Sequence, residues 1–152
     1  MKILDTLKEE AIISELDATD KKGVLERLAG PVAKAAGVDQ KEMVRVLLER
    51  ERLGSTGIGG GIAIPHGKSK LLESLLIGFG RSHKGIDFEA IDGKPAHLFF
   101  LLMAPEDSTD VHLRMLARIS RLLKDITFRQ RLMTAADRRE IYTVIANADH
   151  EF

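Results

Sequence analysis

From Asp20 onward, apolar residues recur at intervals of three and four. Val24, Leu25, Leu28, Ala29, Val32 and Ala33 form one stripe, which predicts an amphipathic helix. Pro31 lies inside that stripe and is expected to kink or divide the helix, because it has no N–H and crowds the preceding turn. Gly37 marks the stop. Asp39 opens the next helix, with Glu42 at capping-box spacing and Val44, Leu47 and Leu48 on the inner face, and that helix runs out near Arg50 or Arg52, before Leu53-Gly54. The segment before Asp20, Ile3 to Leu16, mixes apolar and acidic residues without a clean period and supports no assignment.

The period then changes. Ile62-Ala63-Ile64 reads as a short strand closed by Pro65. Leu75 to Gly80 and Ala96 to Met103 are apolar runs of strand length, the second apolar at almost every position and so expected to be buried on both faces. Between them, Ile86, Phe88 and Ile91 alternate with polar residues ahead of Asp92-Gly93, a hairpin signal. The last third returns to helical spacing. Val111 to Lys124 carries Leu116, Ile119 and Leu123 on one face, Thr127 is placed to cap a short helix through Met133, and Asp137 with Glu140 precedes Ile141, Val144 and Ile145. Helices before and after a strand-rich middle predict one domain over residues 1–152, α/β or α+β, with a mixed β-sheet sandwiched between helices.

Composition narrows the function. Among 152 residues, 23 Lys and Arg balance 23 Asp and Glu, which removes the usual electrostatic case for a nucleic-acid binder. Without cysteine there is no disulfide, thiolate nucleophile or Cys-ligated zinc. The N-terminus has acids from Asp5 and no long apolar run, so it does not read as a signal peptide, and no stretch is apolar enough for membrane insertion. These features suit a cytoplasmic protein.

Six of the 13 glycines fall between Gly54 and Gly67, which concentrates backbone freedom in one loop. Its end, Gly67-Lys68-Ser69, invites a phosphate-cradling P-loop, but the required glycine position holds Ile62, and Pro65 removes a donor. The dinucleotide-binding glycine pattern, started from Gly57 and Gly59, fails at the same Ile62. His66, between Pro65 and Gly67, is the better candidate. A neutral imidazole is nucleophilic near pH 7 without a base to activate it, which suits phosphoryl transfer. Arg50, at the end of a helix, offers a guanidinium fork for phosphate oxygens. His112, in the first turn of a later helix and in line with Leu116 and Ile119, can donate to a phosphate on His66 or orient its ring. Ser55 and Thr56 are candidates either for phosphate contact or for stabilising the turn, and Gly67 clears space behind the histidine. His97 reads as a satisfied core histidine, His83 and His150 as surface residues, and Arg114, Arg118, Arg121 and Lys124 as a solvated helix face.

The run GSTGIGGGIAIPHGK resembles the active-site signature of the IIA proteins of the bacterial phosphoenolpyruvate-dependent phosphotransferase system, in the fructose–mannitol group. The form from Leu53 to Gly59 is most similar to the nitrogen-regulatory branch, and the likeness extends to FEAIDGKPAHLFFLLMAPED and the His-Leu that follows it. Gly60 departs from it, since related proteins often carry Asn there. The resemblance implies a single α/β domain that is phosphorylated on His66 as tele-phosphohistidine by the carrier HPr or its nitrogen-branch counterpart. It places the family's helix histidine on His112 and its phosphate-binding arginine on Arg50. No cofactor, metal or nucleotide is implied. The onward partner is a IIB component on a separate chain or, in a regulatory role without onward transfer, a kinase or transport protein.

Overall fold

The structure is a computed structural model and describes residues 1–151. Two 3-10 turns, Ile3–Asp5 and Glu9–Ala11, lead into strand β1 (Ile12–Ile13). Ile3, Leu7, Ala11 and Ile12 are all buried, the first three at intervals of four although two separate turns rather than one helix carry them. Helix α1 (Lys21–Ala36) starts where the Asp20 carboxylate accepts the Gly23 N–H at 2.8 Å. It ends on Gly37, whose φ of +69° is the left-handed conformation of a helix stop. Pro31 does not divide it: the helix runs through without a break. The carbonyl that loses its partner belongs to Arg27, an exposed residue open to water. Gln40 braces the same turn from the next helix by donating to the Glu26 carbonyl at 2.9 Å.

Helix α2 (Gln40–Arg52) is capped by Asp39, which accepts the Lys41 N–H. The expected capping box does not form, because the Glu42 carboxylate takes the Arg45 guanidinium one turn on. After the glycine loop come β2 (Gly57–Gly59), β3 (Ile62–Ala63) and β4 (His66–Ser69), then β5 (Leu76–Ile86) and β6 (Ala96–Pro105). The sheet order is β1-β5-β6-β3-β2, with β4 also on β6. β5 and β6 are antiparallel, whereas β1–β5, β3–β6 and β4–β6 are parallel, so the sheet is mixed. β6 is its spine, and apart from His97 every residue in it is buried.

Pro65 was expected to close its strand, yet it only interrupts it. Ile62 pairs with Leu98 and Ala63 with Phe99; beyond the proline, His66 pairs with Leu102 in the same register. Pro65 has no N–H to give, but its carbonyl accepts from Leu102 at 3.0 Å, so the chain stays on β6 and delivers His66 as the first residue of a new strand. The β5–β6 hairpin closes at Ile86 and Ala96, with Asp92-Gly93 in its tip. Phe88 leaves the strand to stack edge-on against Phe99.

Strand side chains alternate between faces, and this places the helices. Gly67, Gly78 and Gly80 share one face by register, where added Cβ atoms would come within 2.9 Å of Val46 of α2, 2.8 Å of Val32 of α1 and 2.7 Å of Leu16. His66 points to the opposite face, which is covered by helix α3 (Thr109–Lys124). Helix α4 (Ile126–Thr134) is capped by Asp125, whose carboxylate accepts the Thr127 and Phe128 N–H groups; the expected cap, Thr127, is the donor. Helix α5 (Arg138–Glu151) follows, with the Asp137 carboxylate accepting the Glu140 N–H as its spacing predicts.

One residue of the supposed solvated face turns inward. Arg118 donates to the Asp149 carboxylate at 2.8 Å and to the Asp149 carbonyl at 2.7 Å, while the same carboxylate accepts the Ile3 and Leu4 N–H groups. Asp149 is 1% exposed. It ties α3, α5 and the N-terminal turn together. Breaking such a buried pair leaves a charge and two amides unmatched, so Asp149→Ala is expected to lower unfolding free energy by about 3–5 kcal/mol in urea titrations. Arg139→Ala, which removes an exposed pair with Glu9, should change it by less than about 1 kcal/mol.

Candidate active site

His66 Nδ1 lies 2.8 Å from the Ile64 carbonyl oxygen. A carbonyl only accepts, so Nδ1 carries the hydrogen and Nε2 keeps its lone pair. The ring is half-buried at the start of β4. His112, 4% exposed in the first turn of α3, meets it edge-on, with ring centroids 5.4 Å apart and planes at 70°. The two imidazoles predicted to act together are therefore adjacent, both brought to the C-terminal end of β6: His66 pairs beside it at Leu102, and α3 starts just after it.

Arg50 ends α2 on the same rim. Its guanidinium donates to the Gly54 carbonyl at 2.9 Å, which anchors the helix end to the start of the glycine loop. Burial pushes the His66 imidazole below its ordinary pKa, and the Arg50 charge adds to the fall, against the opposing pull of the Ile64 carbonyl and Glu51. His112 is pushed down to about 4, first by burial, then by the neighbouring His66 and Lys68. Both rings are neutral at pH 7. His112 Nδ1 is buried without a hydrogen-bond partner, the only such side-chain atom among the described residues.

The two loop hydroxyls are already engaged. Ser55 Oγ donates to the Phe88 carbonyl and accepts the Gly57 N–H, both at 3.0 Å. Thr56, 3% exposed, donates its hydroxyl to Glu51. Their contacts support the turn, and no free hydroxyl faces His66 from either. Gly67 is required by packing: a Cβ there would stand 2.9 Å from Val46 and 3.5 Å from Met103.

The residue reading missed two charged side chains. Lys68 follows His66 by two positions on β4, hence on the same face, and its ammonium donates to Thr109 Oγ1 at the start of α3 at 2.9 Å. Glu51, next to Arg50, is buried under the glycine loop and pairs with Lys21 at 2.9 Å. Lys68 was legible once a strand was recognised after Pro65; Glu51 sits in a run of charges, Glu49-Arg50-Glu51-Arg52, that gives no hint which one turns inward. Elsewhere, His97 donates to the Ser82 carbonyl at 2.9 Å; it is satisfied as expected, but it is half-buried rather than in the core. His83 and His150 are exposed. No group of three His, Asp or Glu among the described residues is placed to hold a metal, and no described helix is long and apolar enough to cross a membrane.

A neutral imidazole with its Nε2 lone pair free, a second neutral imidazole beside it, and two cations at the rim form a site that can accept an anionic electrophile such as a phosphoryl group. The unfolded chain's imidazole binds a proton as pH falls through about 6.5. Folded His112 resists protonation down to about 4. Between those values the unfolded state holds more protons, so stability falls as pH falls through the window. Histidine NMR titration should place His112 near 4, Lys68→Met should raise it, and His112→Gln should flatten the stability loss over that window.

Residues 5–148 match the family described as phosphoenolpyruvate-dependent sugar phosphotransferase system, EIIA 2. The chain is 44% identical to a nitrogen regulatory protein of Bradyrhizobium diazoefficiens, over 96% of this chain and 95% of that protein. It is 36% identical to a fructose-specific EIIABC component of Bacillus subtilis, over 98% of this chain but 24% of that longer protein. The crystal structure of nitrogen regulatory protein IIA-Ntr from Neisseria meningitidis superposes with a TM-score of 0.87 at 30% identity, covering 93% of this chain and 97% of that one. The α/β sandwich, the paired imidazoles and these likenesses converge: the chain belongs to the EIIA 2 family of the phosphoenolpyruvate-dependent sugar phosphotransferase system.

Proposed function

We propose that this protein is an EIIA phosphocarrier in which His66 Nε2 accepts a phosphoryl group from a phosphohistidine carrier protein of the HPr type. The observation that carries the reading is the hydrogen bond from His66 Nδ1–H to the Ile64 carbonyl, which leaves one ring nitrogen free, the outward one. The Nε2 lone pair forms the new N–P bond as the carrier's N–P bond breaks, and that electron pair returns to the carrier's imidazole. No proton has to leave the attacking nitrogen. The positive charge that develops on the His66 ring is shared with Nδ1–H, where the Ile64 carbonyl accepts it.

Transfer between two imidazoles is close to balanced in energy, so positioning and charge stabilisation suffice. Arg50 supplies a guanidinium to the phosphoryl oxygens, and His112 supplies an N–H from the adjacent ring. Lys68 adds a second positive group, on the same face of β4 as His66. Ser55, Thr56 and Gly67 shape the site.

A nitrogen-regulatory role is favoured by the Bradyrhizobium relative, which this chain matches over nearly the full length of both proteins. Its partners are then regulated proteins, such as a kinase or a transporter. A role in sugar uptake with a separate IIB chain is favoured by the fructose-specific relative.

Incubation with phosphoenolpyruvate, enzyme I and HPr is expected to label the protein with an acid-labile, base-stable phosphate. His66→Ala should abolish labelling, and label that persists in this variant refutes the assignment. Arg50→Ala and His112→Ala should each slow labelling roughly tenfold to a hundredfold. Onward transfer to a IIB cysteine would decide for sugar uptake; its absence, with partner affinity altered in His66→Asp, would decide for regulation.

A further inference from the structure

The hydrogen bonds behind His66 form one unbroken line that begins at a residue remote from the phosphoryl group. Lys21 of α1 pairs with the Glu51 carboxylate at 2.9 Å. Glu51 Oε1 accepts the Thr56 N–H at 3.0 Å, and Oε2 accepts the Thr56 hydroxyl. The Thr56 carbonyl accepts the Ile64 N–H at 3.0 Å, and the Ile64 carbonyl accepts His66 Nδ1–H at 2.8 Å. Each bond holds the residue whose carbonyl makes the next one.

We propose that Glu51 is a positioning residue for phosphoryl transfer: through Thr56 and Ile64 it orients the carbonyl that selects the Nδ1–H tautomer of His66. This rests on the reading of His66 as the phosphoryl acceptor. Glu51 sits where a carboxylate is costly. It is 7% exposed, and it occupies the last turn of α2, the negative end of the helix dipole. Removing the anion would also leave Lys21 and the Thr56 N–H unmatched, so the test has to separate a positioning role from a purely structural one.

The loop explains what the anion does. Between Thr56 and Ile64 lie Gly57, Gly59, Gly60 and Gly61, the last three at φ of +94°, +66° and +82°. Such backbone is freely deformable when untethered. Glu51 grips its first residue by two donors, and that residue's carbonyl grips the last. The staple closes across the glycine-rich β2–β3 hairpin and holds Ile64 in place behind His66. Without it the carbonyl drifts, and the ring can place its hydrogen on Nε2. In that tautomer the attacking nitrogen has no lone pair to offer.

The test compares Glu51→Gln and Thr56→Val with wild type and with Glu49→Gln, an exposed α2 control whose partner is Arg45. Heteronuclear NMR of the imidazole nitrogens reads the His66 tautomer, and amide exchange reads the Ile64 N–H. Wild type and Glu49→Gln should show Nδ1–H alone, with a protected Ile64 amide. Glu51→Gln and Thr56→Val should show a mixture with Nε2–H, faster Ile64 exchange, and phosphorylation slowed roughly tenfold at an unchanged KM for the carrier. Thr56→Ser, which keeps both bonds to Glu51, should restore the single tautomer. A folded Glu51→Gln or Thr56→Val protein that retains Nδ1–H alone and phosphorylates at the wild-type rate overturns the proposal. Should Glu51→Gln fail to fold, Thr56→Val decides. Should wild type take no label at all, the phosphocarrier reading fails, while the tautomer comparison still decides whether Glu51 orients His66.

Discussion

Everything in the site depends on the hydrogen bond between the His66 ring and the carbonyl two residues before it. An imidazole has two nitrogens and, when neutral, one hydrogen; fixing that hydrogen decides which nitrogen reacts. The fold makes the bond by keeping the chain on β6 across a proline. Pro65 cannot donate to the ladder, so the strand is broken there, and Ile64 lies outside both β3 and β4. Register nonetheless resumes unchanged at His66. The break places a carbonyl beside the imidazole instead of within the sheet, and the resumed strand aims the ring at α3.

Electrostatics then set the state of that ring. Burial and positive neighbours act in the same direction on both histidines, and both favour the neutral ring more than a free imidazole does. Positive groups that depress these pKa values in the resting protein are the groups an incoming phosphoryl dianion requires. In the proposed transfer, the same charges keep the nucleophile available before the step and stabilise the product after it. His112 Nδ1 is buried without a hydrogen-bond partner. A buried nitrogen without a partner is the kind of local cost that functional sites retain.

Much of this was legible in the residues. The α1 stripe, the Gly37 stop, the doubly buried β6 and the helix carrying His112 follow from period and composition, because each depends on local propensity or on burial along one element. Neither Pro31 nor Pro65 ends the run it sits in, for a shared reason. Proline removes a donor in every context, but whether that breaks an element depends on what the neighbouring carbonyls meet, and that is a tertiary fact. At Pro31 the freed carbonyl belongs to an exposed residue; at Pro65 the carbonyl of the proline itself carries the ladder onward. The inward turns of Glu51 and Arg118 were hidden likewise. Each lies among like-patterned charged residues, and only the partners that fold against them, Thr56 with Lys21 and Asp149 with the N-terminal amides, distinguish them from their solvated neighbours.

The most direct measurement is the position of the phosphorus on the ring. The protein, phosphorylated by its carrier and examined by nitrogen–phosphorus correlation NMR, should show coupling to His66 Nε2, with the Nδ1 proton still bonded to a carbonyl. Phosphorus on Nδ1 would require the bond to Ile64 to break before attack. That result, or phosphorus on any other side chain, would contradict the account.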